Sequence, residues 1–280
     1  MMDLVIQGPV IGAAELSSIA ALSGAQGITV LDSDGHQAYR LPRVGTRAGV
    51  AEFCAMAGID AAFVPSGLAR DRVRLVAMDM DSTLITIECI DEIADMLGIR
   101  PQVAAITAAA MRGEVDFRES LTRRVALLAG LPVEALARVC DERTVLSPGA
   151  LRMLAGFKAV GARTLLVSGG FTFFTDRLQQ RLGLDATASN TLEIAAGRLT
   201  GHLTGPIVDA QGKAARFAET KRELCAGGGI AVAVGDGAND VPLLRAADVS
   251  VAYRARPVAR AAAAHAINYC GLDAVLNLFA

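Results

Sequence analysis

Residues 74–84 read RLVAMDMDSTL, in which an apolar run ends abruptly in two aspartates separated by one residue. Residues 75–78 are aliphatic and continuous, as is typical of a strand buried on both faces of a parallel sheet. Ligand sites in such sheets lie at the carboxyl ends of the strands. Because alternate residues of a strand share a face, Asp79 and Asp81 can face one crevice. There, one carboxylate could act as a nucleophile while the other transfers protons, or both could bind a metal. Taken alone, the stretch is equally compatible with a solvated turn.

The composition describes a chain that can bury a large core. Of its 280 residues, 52% are hydrophobic, which is enough for two or three structural units. The formal net charge of −2 provides no field that would attract nucleic acid or an anionic membrane. Aromatic residues make up 4% and tryptophan is absent, which argues against a base-stacking platform. No stretch is long and apolar enough to span a bilayer. We therefore expect no nucleic acid and no membrane partner.

The five cysteines are scattered, without a CxxC pair or a cluster with histidine, so the sequence argues against a zinc site. An odd number of cysteines without a secretion signal suits a reducing compartment. The first residues, MMDL, lack the basic start and the long apolar segment of a signal peptide. These features predict a cytoplasmic protein.

Residues 1–70 are expected to form a separate N-terminal unit with the element order β-α-β-β-α-β. The predicted strands cover residues 4–8, 28–31, 37–41 and 61–65, and the predicted helices cover residues 13–22 and 49–58. This order is ferredoxin-like, and it resembles the amino-acid-sensing (ACT-like) domains fused to metabolic enzymes. The resemblance implies an amino-acid ligand; a packing or dimerisation domain, and hence a homodimer, is the alternative. Residues 66–74 are polar and basic and are interpreted as the linker.

Residues 85–145 carry only helical patterns. The predicted helices cover residues 90–97, 103–111, 116–128 and 132–140. Gly98 ends the first of them, and Pro101 opens the next. An all-helical insert directly after the first strand of a sheet is a cap, which can close over the crevice and select the substrate.

Residues 73–84 and 146–280 are expected to form an α/β core, because strands and helices alternate again after the helical insert. Predicted strands cover residues 164–167, 230–234, 249–251 and 266–268, a hairpin covers residues 191–194 and 198–201, and helices cover residues 149–160, 172–182, 213–225 and 258–264. This alternation predicts a doubly wound, mostly parallel sheet.

Polar residues follow several predicted strands of the core. They are Asp79 with Asp81, Ser168 with Gly169, Lys213, and the sequence GDGAND at residues 235–240. In a parallel sheet the equivalent strand ends meet at one edge, which would unite a nucleophile, a hydroxyl with backbone N–H groups, a cation and a second acidic cluster. That set suits phosphoryl transfer, in which the protein mainly positions groups and neutralises charge.

Each component has a simpler interpretation when it is taken alone. Ser168 and Gly169 would form a tight turn, Lys213 would be a solvated helix residue, and residues 235–240 would form another turn. A calcium loop is a further alternative for residues 235–240, but the alternating acidic residues and the terminal glutamate are missing. The chain also lacks a Walker A motif, which argues against P-loop chemistry. The combination, in this order, favours the catalytic interpretation.

The combination resembles the four motifs of the haloacid dehalogenase (HAD) superfamily of phosphatases. The matching sequences are DMDST at residues 79–83, SGGF at residues 168–171, Lys213, and GDGAND at residues 235–240. The cap sequences ECIDEIA at residues 88–94, FRESL at residues 117–121 and RRV at residues 123–125 are similar to those of the phosphoserine phosphatases in this superfamily. The resemblance covers about residues 73 to 280 and implies a HAD-like, Rossmann-like core with a small helical cap.

The resemblance implies roles for the acidic residues. Asp79 would attack phosphorus and form an aspartyl phosphate, and Asp81 would protonate the leaving oxygen and then deprotonate a water. Mg²⁺ would be the cofactor, held by the Asp79 side chain, the Asp81 backbone carbonyl and Asp236. Asp240 would support a metal-bound water or Lys213.

The resemblance also implies how the phosphoryl group is held. Ser168, Gly169 and Lys213 would bind its oxygens, and Asn239 would help to orient them. These residues would supply a hydroxyl, a backbone N–H group, an ammonium and an amide, which together offset the negative charge of the phosphoryl oxygens.

In the cap, Glu88 would pair with a substrate ammonium, Arg124 would bind a carboxylate, and Phe117 would form an apolar wall. Taken singly, Glu88 and Arg124 would be solvated charges or a surface ion pair. The implied substrate is O-phospho-L-serine and the implied reaction is its hydrolysis to L-serine, the last step of serine biosynthesis. The alternatives are a phosphatase for another small phosphomonoester, such as phosphothreonine or phosphohomoserine, and an amino-acid-sensing module with a silent phosphatase fold.

Overall fold

The chain begins with an antiparallel sheet whose strands are interrupted by two helices. In this computed structural model, which describes all 280 residues, the first elements are β1 (Met2–Gly8), α1 (Ala13–Ser23), β2 (Thr29–Val30), β3 (Gln37–Leu41), α2 (Val50–Met56) and β4 (Asp60–Pro65). The strand order β2-β3-β1-β4, with every neighbouring pair antiparallel, is ferredoxin-like and confirms the predicted fold of this unit. Strand β2 is shorter than predicted, and both of its residues are exposed at the edge of the sheet.

Strand β5 (Val73–Met78) follows a short 3₁₀ turn and leads into the cap. Residues 75–78 are fully buried, as expected for a strand covered on both faces. The cap consists of α3 (Cys89–Met96), α4 (Arg100–Met111), α5 (Phe117–Ala126) and α6 (Val133–Arg143). The predicted all-helical insert after the first strand of the core is therefore confirmed.

Two antiparallel segments join the cap to the core. We call residues 84–86 and 145–147 the neck; within it, the backbone N of Thr86 donates to the carbonyl oxygen of Val145 at 2.9 Å. Both segments cross from core to cap near the carboxyl end of β5. A movement of the cap relative to the core therefore bends these few residues.

The core sheet has seven strands, with β5 in the middle. The others are β6 (Arg163–Phe171), β7 (Ala186–Ala195), β8 (Arg198–Thr204), β9 (Ile230–Gly235), β10 (Val249–Tyr253) and β11 (His265–Ile267). The order is β11-β10-β9-β5-β6-β7-β8, and every neighbouring pair is parallel except β7 with β8. This topology confirms the predicted doubly wound α/β core.

Helices cover both faces of this sheet. They are α7 (Ala150–Lys158), α8 (Thr172–Leu182), α9 (Ala210–Leu224), α10 (Val241–Ala246), α11 (Pro257–Ala262) and a C-terminal 3₁₀ helix (Leu272–Leu278). Two separate apolar clusters result, because Val76 and Met78 point to one face of β5 while Leu75 and Ala77 point to the other. None of the helices combines the length and the apolar character that crossing a membrane requires.

Several elements of the core differ from the prediction. Strand β7 begins at Ala186 rather than at residue 191, and residues 186–190 pair in parallel with β6. Sequence analysis missed this part of the strand because residues 186–190 read ATASN, which contains no apolar run. Helix α9 begins before residue 213, because the side chain of Asp209 caps it by accepting from Gly212 N at 2.9 Å. Helix α10 and the C-terminal 3₁₀ helix were not predicted; both are short, and the residues of the 3₁₀ helix are all buried by tertiary packing.

The N-terminal unit and the core share apolar packing. Val5 and Val64 of the N-terminal sheet belong to the same buried cluster as Leu276 and Phe279 near the C-terminus. The predicted linker, residues 66–74, is held against the core at two points. Its last two residues belong to β5. The carbonyl oxygen of Leu68 accepts a hydrogen bond from the backbone N of Ala280 at 2.7 Å.

Asp60 anchors the junction between the two units. The residue is 3% exposed, and its carboxylate accepts hydrogen bonds from the backbone N atoms of Asn268, Tyr269 and Cys270, at 2.7, 3.0 and 3.1 Å. A single buried side chain of β4 therefore holds the backbone that follows β11.

We expect Asp60→Asn to lower the free energy of unfolding by about 2–3 kcal/mol, because the amide replaces one acceptor oxygen with a donor that faces backbone donors. Asp71→Asn, in an exposed side chain of the linker, is the control and should stay within about 0.5 kcal/mol of the wild type. Urea denaturation of the full chain measures both. Equal stability of the two variants would contradict a stabilising junction at Asp60.

Candidate active site

The carboxyl ends of β5, β6 and β9 meet beneath the cap. Asp79 follows β5 directly, Ser168 lies near the end of β6, and Asp236 follows β9. Lys213 reaches the same place from the first turns of α9. The parallel sheet thus brings together side chains from distant parts of the sequence, as the strand-end pattern predicted.

A turn after β5 positions the two aspartates of the opening sequence. Oδ1 of Asp79 accepts a hydrogen bond from the backbone N of Met80 at 2.7 Å, and Oδ1 of Asp81 accepts one from Cys89 N at 3.4 Å. Ser82 adopts the left-handed backbone conformation, with φ of 55°, which turns the chain sharply after Asp81. Both carboxyl groups border the cavity between core and cap.

Gly170 allows the end of β6 to approach this turn closely. A Cβ atom at this position would lie 2.8 Å from Cε of Met80 and 3.3 Å from Oδ2 of Asp81. The backbone N of Gly170 donates to the hydroxyl oxygen of Ser168 at 2.9 Å, which orients that hydroxyl. A side chain at residue 170 would therefore displace the groups that flank the nucleophile position.

Gly169 is held in place by a hydrogen bond from Asn190, a residue that sequence analysis missed. Nδ2 of Asn190 donates to the carbonyl oxygen of Gly169 at 2.8 Å, and its Oδ1 accepts from the backbone N of Val208 at 2.7 Å. On the other side, the ring of Phe117 comes within 3.1 Å of the place that a Cβ of Gly169 would occupy. Asn190 thus links the end of β6 to the segment before α9. The only signal of this role in the sequence is its position at the end of the polar stretch 186–190, with which β7 begins.

Lys213 is fully buried and joins two of the strand ends. Its Nζ lies 2.8 Å from Oδ2 of Asp79 and 2.6 Å from Oδ1 of Asp240. Burial alone would lower the pKa of Lys213, but the two carboxylates raise it above its ordinary value, so the side chain is an ammonium. Oδ2 of Asp240 accepts from the backbone N atoms of Asp236 and Gly237, both at 3.0 Å. Both oxygens of Asp240 are therefore engaged within the protein.

The carboxylates around Lys213 form an acidic cluster. Ligand atoms of Asp79, Asp236 and Asp240 all lie within 4.8 Å of one another. Burial, followed by the charge of Asp240, raises the pKa of Asp79 well above its ordinary value and that of Asp236 to about 6. Thr83 donates to Oδ1 of Asp236 at 2.9 Å, and Asn239 donates to Oδ2 of Asp79 at 3.4 Å. Three carboxylates thus face one ammonium, and this excess of negative charge fits a divalent metal with oxygen ligands.

Asp81 and Glu88 lie next to this cluster, on the side of the cap. Burial, followed by the charge of Glu88, raises the pKa of Asp81 to about 7. Oε1 of Glu88 accepts a hydrogen bond from the Ser82 hydroxyl at 2.7 Å, and burial raises the pKa of Glu88. A carboxyl group with the pKa of Asp81 can both donate and accept a proton near neutral pH.

A cavity of about 650 Å³ lies between the core and the cap. All the predicted site residues border it except Lys213 and Asp240, which lie beneath Asp79. The predicted residues at its wall are Asp79, Asp81, Glu88, Phe117, Arg124, Ser168, Gly169, Asp236 and Asn239. The structure therefore gathers the whole predicted set into one place.

Helix α5 forms the part of the cavity wall that faces the core. Phe117, Ser120 and Arg124 are spaced so that they share one face of the helix, and all three border the cavity. Nε of Arg124 donates to the carbonyl oxygen of Ser120 at 3.3 Å. Burial lowers the pKa of Arg124, and the nearby Asp91 and Glu88 oppose that shift.

Sequence analysis did not single out Arg256, which borders the cavity from the core. Its backbone N donates to the carbonyl oxygen of Asp236 at 2.9 Å, and its Nη1 lies 3.5 Å from Sδ of Met111 in the cap. Ser120 was missed as well. Ser120 lies within the sequence FRESL at residues 117–121 but was given no role, and Arg256 belongs to none of the matching motifs; both reach the cavity through tertiary packing.

Comparisons with known proteins show which family the chain is similar to. The family model of haloacid dehalogenase-like hydrolases matches residues 76–245, and a domain of unknown function (DUF4072) matches residues 4–50. A phosphoserine phosphatase from Polaromonas sp. is 51% identical over 210 residues, which cover 73% of this chain and 89% of that protein.

Solved structures extend the similarity to the whole chain. A probable phosphoserine phosphatase from Vibrio cholerae, in unliganded form, has a TM-score of 0.84 and 33% identity, covering 99% of this chain and 85% of its own. A phospho-aspartyl intermediate analogue of phosphoserine phosphatase has a TM-score of 0.67 and 33% identity, covering 74% of this chain and 99% of its own.

We expect Lys213→Met to lower the free energy of unfolding by about 3–5 kcal/mol, because two buried carboxylates then lose their only cationic partner. Lys221→Met is the matched control on the same helix, where a partly exposed ammonium pairs with Asp248 at 2.6 Å. A surface pair of this kind contributes about 1 kcal/mol or less. Chemical denaturation in the presence of EDTA compares the two variants, and an equal loss in both would contradict a buried charge cluster built around Lys213.

Proposed function

Because the chain belongs to the haloacid dehalogenase-like hydrolase family, we propose that it is a phosphatase that hydrolyses O-phospho-L-serine to L-serine and phosphate. One observation carries this function. The cavity has a carboxylate nucleophile position, Asp79, at its floor, and an acidic and a basic side chain, Glu88 and Arg124, at the wall toward the cap. These three groups match the phosphate, the ammonium and the carboxylate of phosphoserine.

The reaction begins at Asp79. One carboxylate oxygen attacks phosphorus, the bond from phosphorus to the seryl oxygen breaks, and an aspartyl phosphate forms. Asp81 donates its proton to the departing seryl oxygen, and the pKa of about 7 suits this donation near neutral pH. Water then attacks phosphorus and gives a proton to Asp81, and the bond from phosphorus to the Asp79 oxygen breaks to release phosphate.

Mg²⁺ is the cation that we propose for the acidic cluster. Asp79, Asp236 and the backbone carbonyl oxygen of Asp81 would hold it, because Asp79, Asp81 and Asp236 border the cavity whereas Asp240 is fully buried beneath it and is bound to Lys213 and to two backbone N atoms. When bound, it supplies positive charge that keeps the buried carboxylates ionised and offsets the charge of the phosphoryl oxygens. Asp240 acts on Lys213 and on the backbone after β9 rather than as a ligand.

The phosphoryl group is held by four groups of the core. The Ser168 hydroxyl and the backbone N of Gly169 lie at the end of β6, and Lys213 and Asn239 both contact Oδ2 of Asp79. Their donors are positioned before the substrate binds, since Gly170 N donates to the Ser168 hydroxyl and Asn190 of β7 donates to the carbonyl oxygen of Gly169. Such fixed donors stabilise developing charge without reorganising during the reaction.

The cap determines which phosphomonoester reacts. Glu88 pairs with the ammonium of the substrate, Arg124 binds its carboxylate through two hydrogen bonds, and Phe117 excludes water above Gly169. A second candidate substrate is phosphothreonine or phosphohomoserine, since the volume of the cavity leaves room for another carbon atom. An added methyl or methylene group changes discrimination by only about 10–200-fold. A phosphate-release panel with the three compounds decides between them.

For the N-terminal unit, an amino-acid ligand and a contact between two copies of the chain stay predictions, as does the cytoplasmic location. The ferredoxin-like topology supports the first two. Asp79 and Asp81 are both present and both line the cavity, which supports an active phosphatase rather than an amino-acid-sensing module with a silent phosphatase fold.

We expect Asp79→Asn to lower the rate of phosphate release from L-phosphoserine by more than about a thousandfold, because the amide cannot attack phosphorus. EDTA should abolish the activity of the wild type, and added Mg²⁺ should restore it. Asp71→Asn, outside the cavity, is the control and should keep wild-type activity. Full activity in Asp79→Asn, with the protein folded by circular dichroism, would refute the proposed nucleophile.

We expect Arg124→Ala to lower kcat/KM for L-phosphoserine by at least about thirtyfold, because loss of one buried charged contact costs about 2–5 kcal/mol. Hydrolysis of an aryl phosphate, which has no carboxylate, should change far less. Arg123→Ala is the matched control, since this neighbouring arginine is exposed and pairs with Glu119. Equal losses on both substrates would instead assign Arg124 to the phosphate or to folding of the cap.

A further inference from the structure

Ser120 carries a buried hydroxyl that has no hydrogen-bond partner within the protein. The residue is 1% exposed, and its Oγ is one of three such side-chain atoms, with Tyr253 Oη and Asn268 Oδ1. Ser120 alone among them borders the cavity. A buried hydroxyl without a partner costs about 1–3 kcal/mol, and folded proteins retain few such groups without a reason.

The helix itself makes no use of this hydroxyl. A serine inside a helix commonly donates to the carbonyl oxygen four residues earlier. Here the carbonyl of Asp116 accepts only the backbone N of Ser120, at 3.0 Å. Alanine would favour the helix by a few tenths of a kcal/mol, on the order of 0.5. Neither the packing nor the helix explains a serine at this position.

Arg124 lies next to Ser120 and is the other polar residue on this face of α5. Its Nε donates to the carbonyl oxygen of Ser120 at 3.3 Å, and the guanidinium makes no ion pair within the protein. A ligand carboxylate can accept about four hydrogen bonds, of which a guanidinium supplies two. A third donor within reach would complete the binding of one carboxylate oxygen.

We propose that Ser120 is a substrate-binding residue whose hydroxyl donates a hydrogen bond to the carboxylate that Arg124 binds. This inference rests on the proposed function and deepens it. When the guanidinium leaves the carbonyl of Ser120 and turns toward the carboxylate, the hydroxyl beside it becomes accessible and gains its missing partner. Ser120 therefore increases the preference for phosphorylated amino acids over phosphomonoesters that lack a carboxylate.

The test compares Ser120→Ala with the wild type on two compounds. L-phosphoserine has both the ammonium and the carboxylate, whereas phosphoethanolamine has only the ammonium. We expect kcat/KM for L-phosphoserine to fall by about tenfold or more, as for loss of a hydrogen bond to a charged group. The value for phosphoethanolamine, or its inhibition constant where turnover is too slow, should stay within about twofold of the wild type.

Thermal stability separates binding from a structural role. Since the hydroxyl has no partner in the fold, Ser120→Ala should keep or raise the melting temperature. Thr122→Ala removes a hydroxyl from the exposed side of the same helix and should leave both the kinetics and the preference unchanged. Ser120→Cys, with a weaker donor of similar size, should show an intermediate loss.

The outcomes are distinct. If the wild type does not hydrolyse L-phosphoserine, the proposed function fails, and the inference fails with it. If the wild type is active and Ser120→Ala keeps its kcat/KM, only the inference is overturned. An equal loss on both compounds, or a lowered melting temperature that accompanies the loss, would assign Ser120 to the fold and would also overturn it.

Discussion

The rest of the site depends on one buried ammonium. Lys213 lies between Asp79 and Asp240, so that α9, the end of β5 and the loop after β9 are tied at one point. Asp240 extends the tie to the backbone of Asp236 and Gly237. Each of these charges would be costly to bury alone, and together they are tolerated only in this geometry. Lys213 therefore fixes the positions of the two carboxylates that it contacts. A hydrophobic side chain of the same volume at residue 213 would leave those positions undefined.

The cavity has two chemically different walls. The floor has an excess of carboxylates, which suits a cation and a phosphoryl group. The wall formed by α5 has an apolar ring, a hydroxyl and a guanidinium, which suit the remainder of a small amino acid. In the proposed function, binding energy at the cap would be gained away from the reacting bond, where it can position the phosphate against Asp79. The proposed function therefore assigns the reaction to the core and the selection of the substrate to the cap.

Much of this arrangement could be predicted from the sequence, because the chemistry lies where buried apolar runs end. The runs before Asp79 and Asp236 predicted strands β5 and β9, and parallel pairing then required their ends to meet. Short or polar elements escaped prediction, since residues 186–190 pair as a strand without any apolar pattern. Asn190 and Ser120 were missed for a related reason. The role of a polar side chain depends on whether groups distant in the sequence form hydrogen bonds with it, and the sequence alone does not show this.

The N-terminal unit contributes no residue to the cavity, yet it is bonded to the part of the core that adjoins the neck. Gln7 donates to the carbonyl oxygen of Ala274 in the C-terminal 3₁₀ helix at 3.1 Å. In the same region, the backbone N of Leu272 donates to the carbonyl oxygen of Pro148 at 2.7 Å, directly after the neck. These two hydrogen bonds thus connect the first strand of the chain, through the C-terminal 3₁₀ helix, to the residue that directly follows the neck. Because none of its residues line the cavity, the N-terminal unit contributes to the core through packing and hydrogen bonds rather than to the site directly.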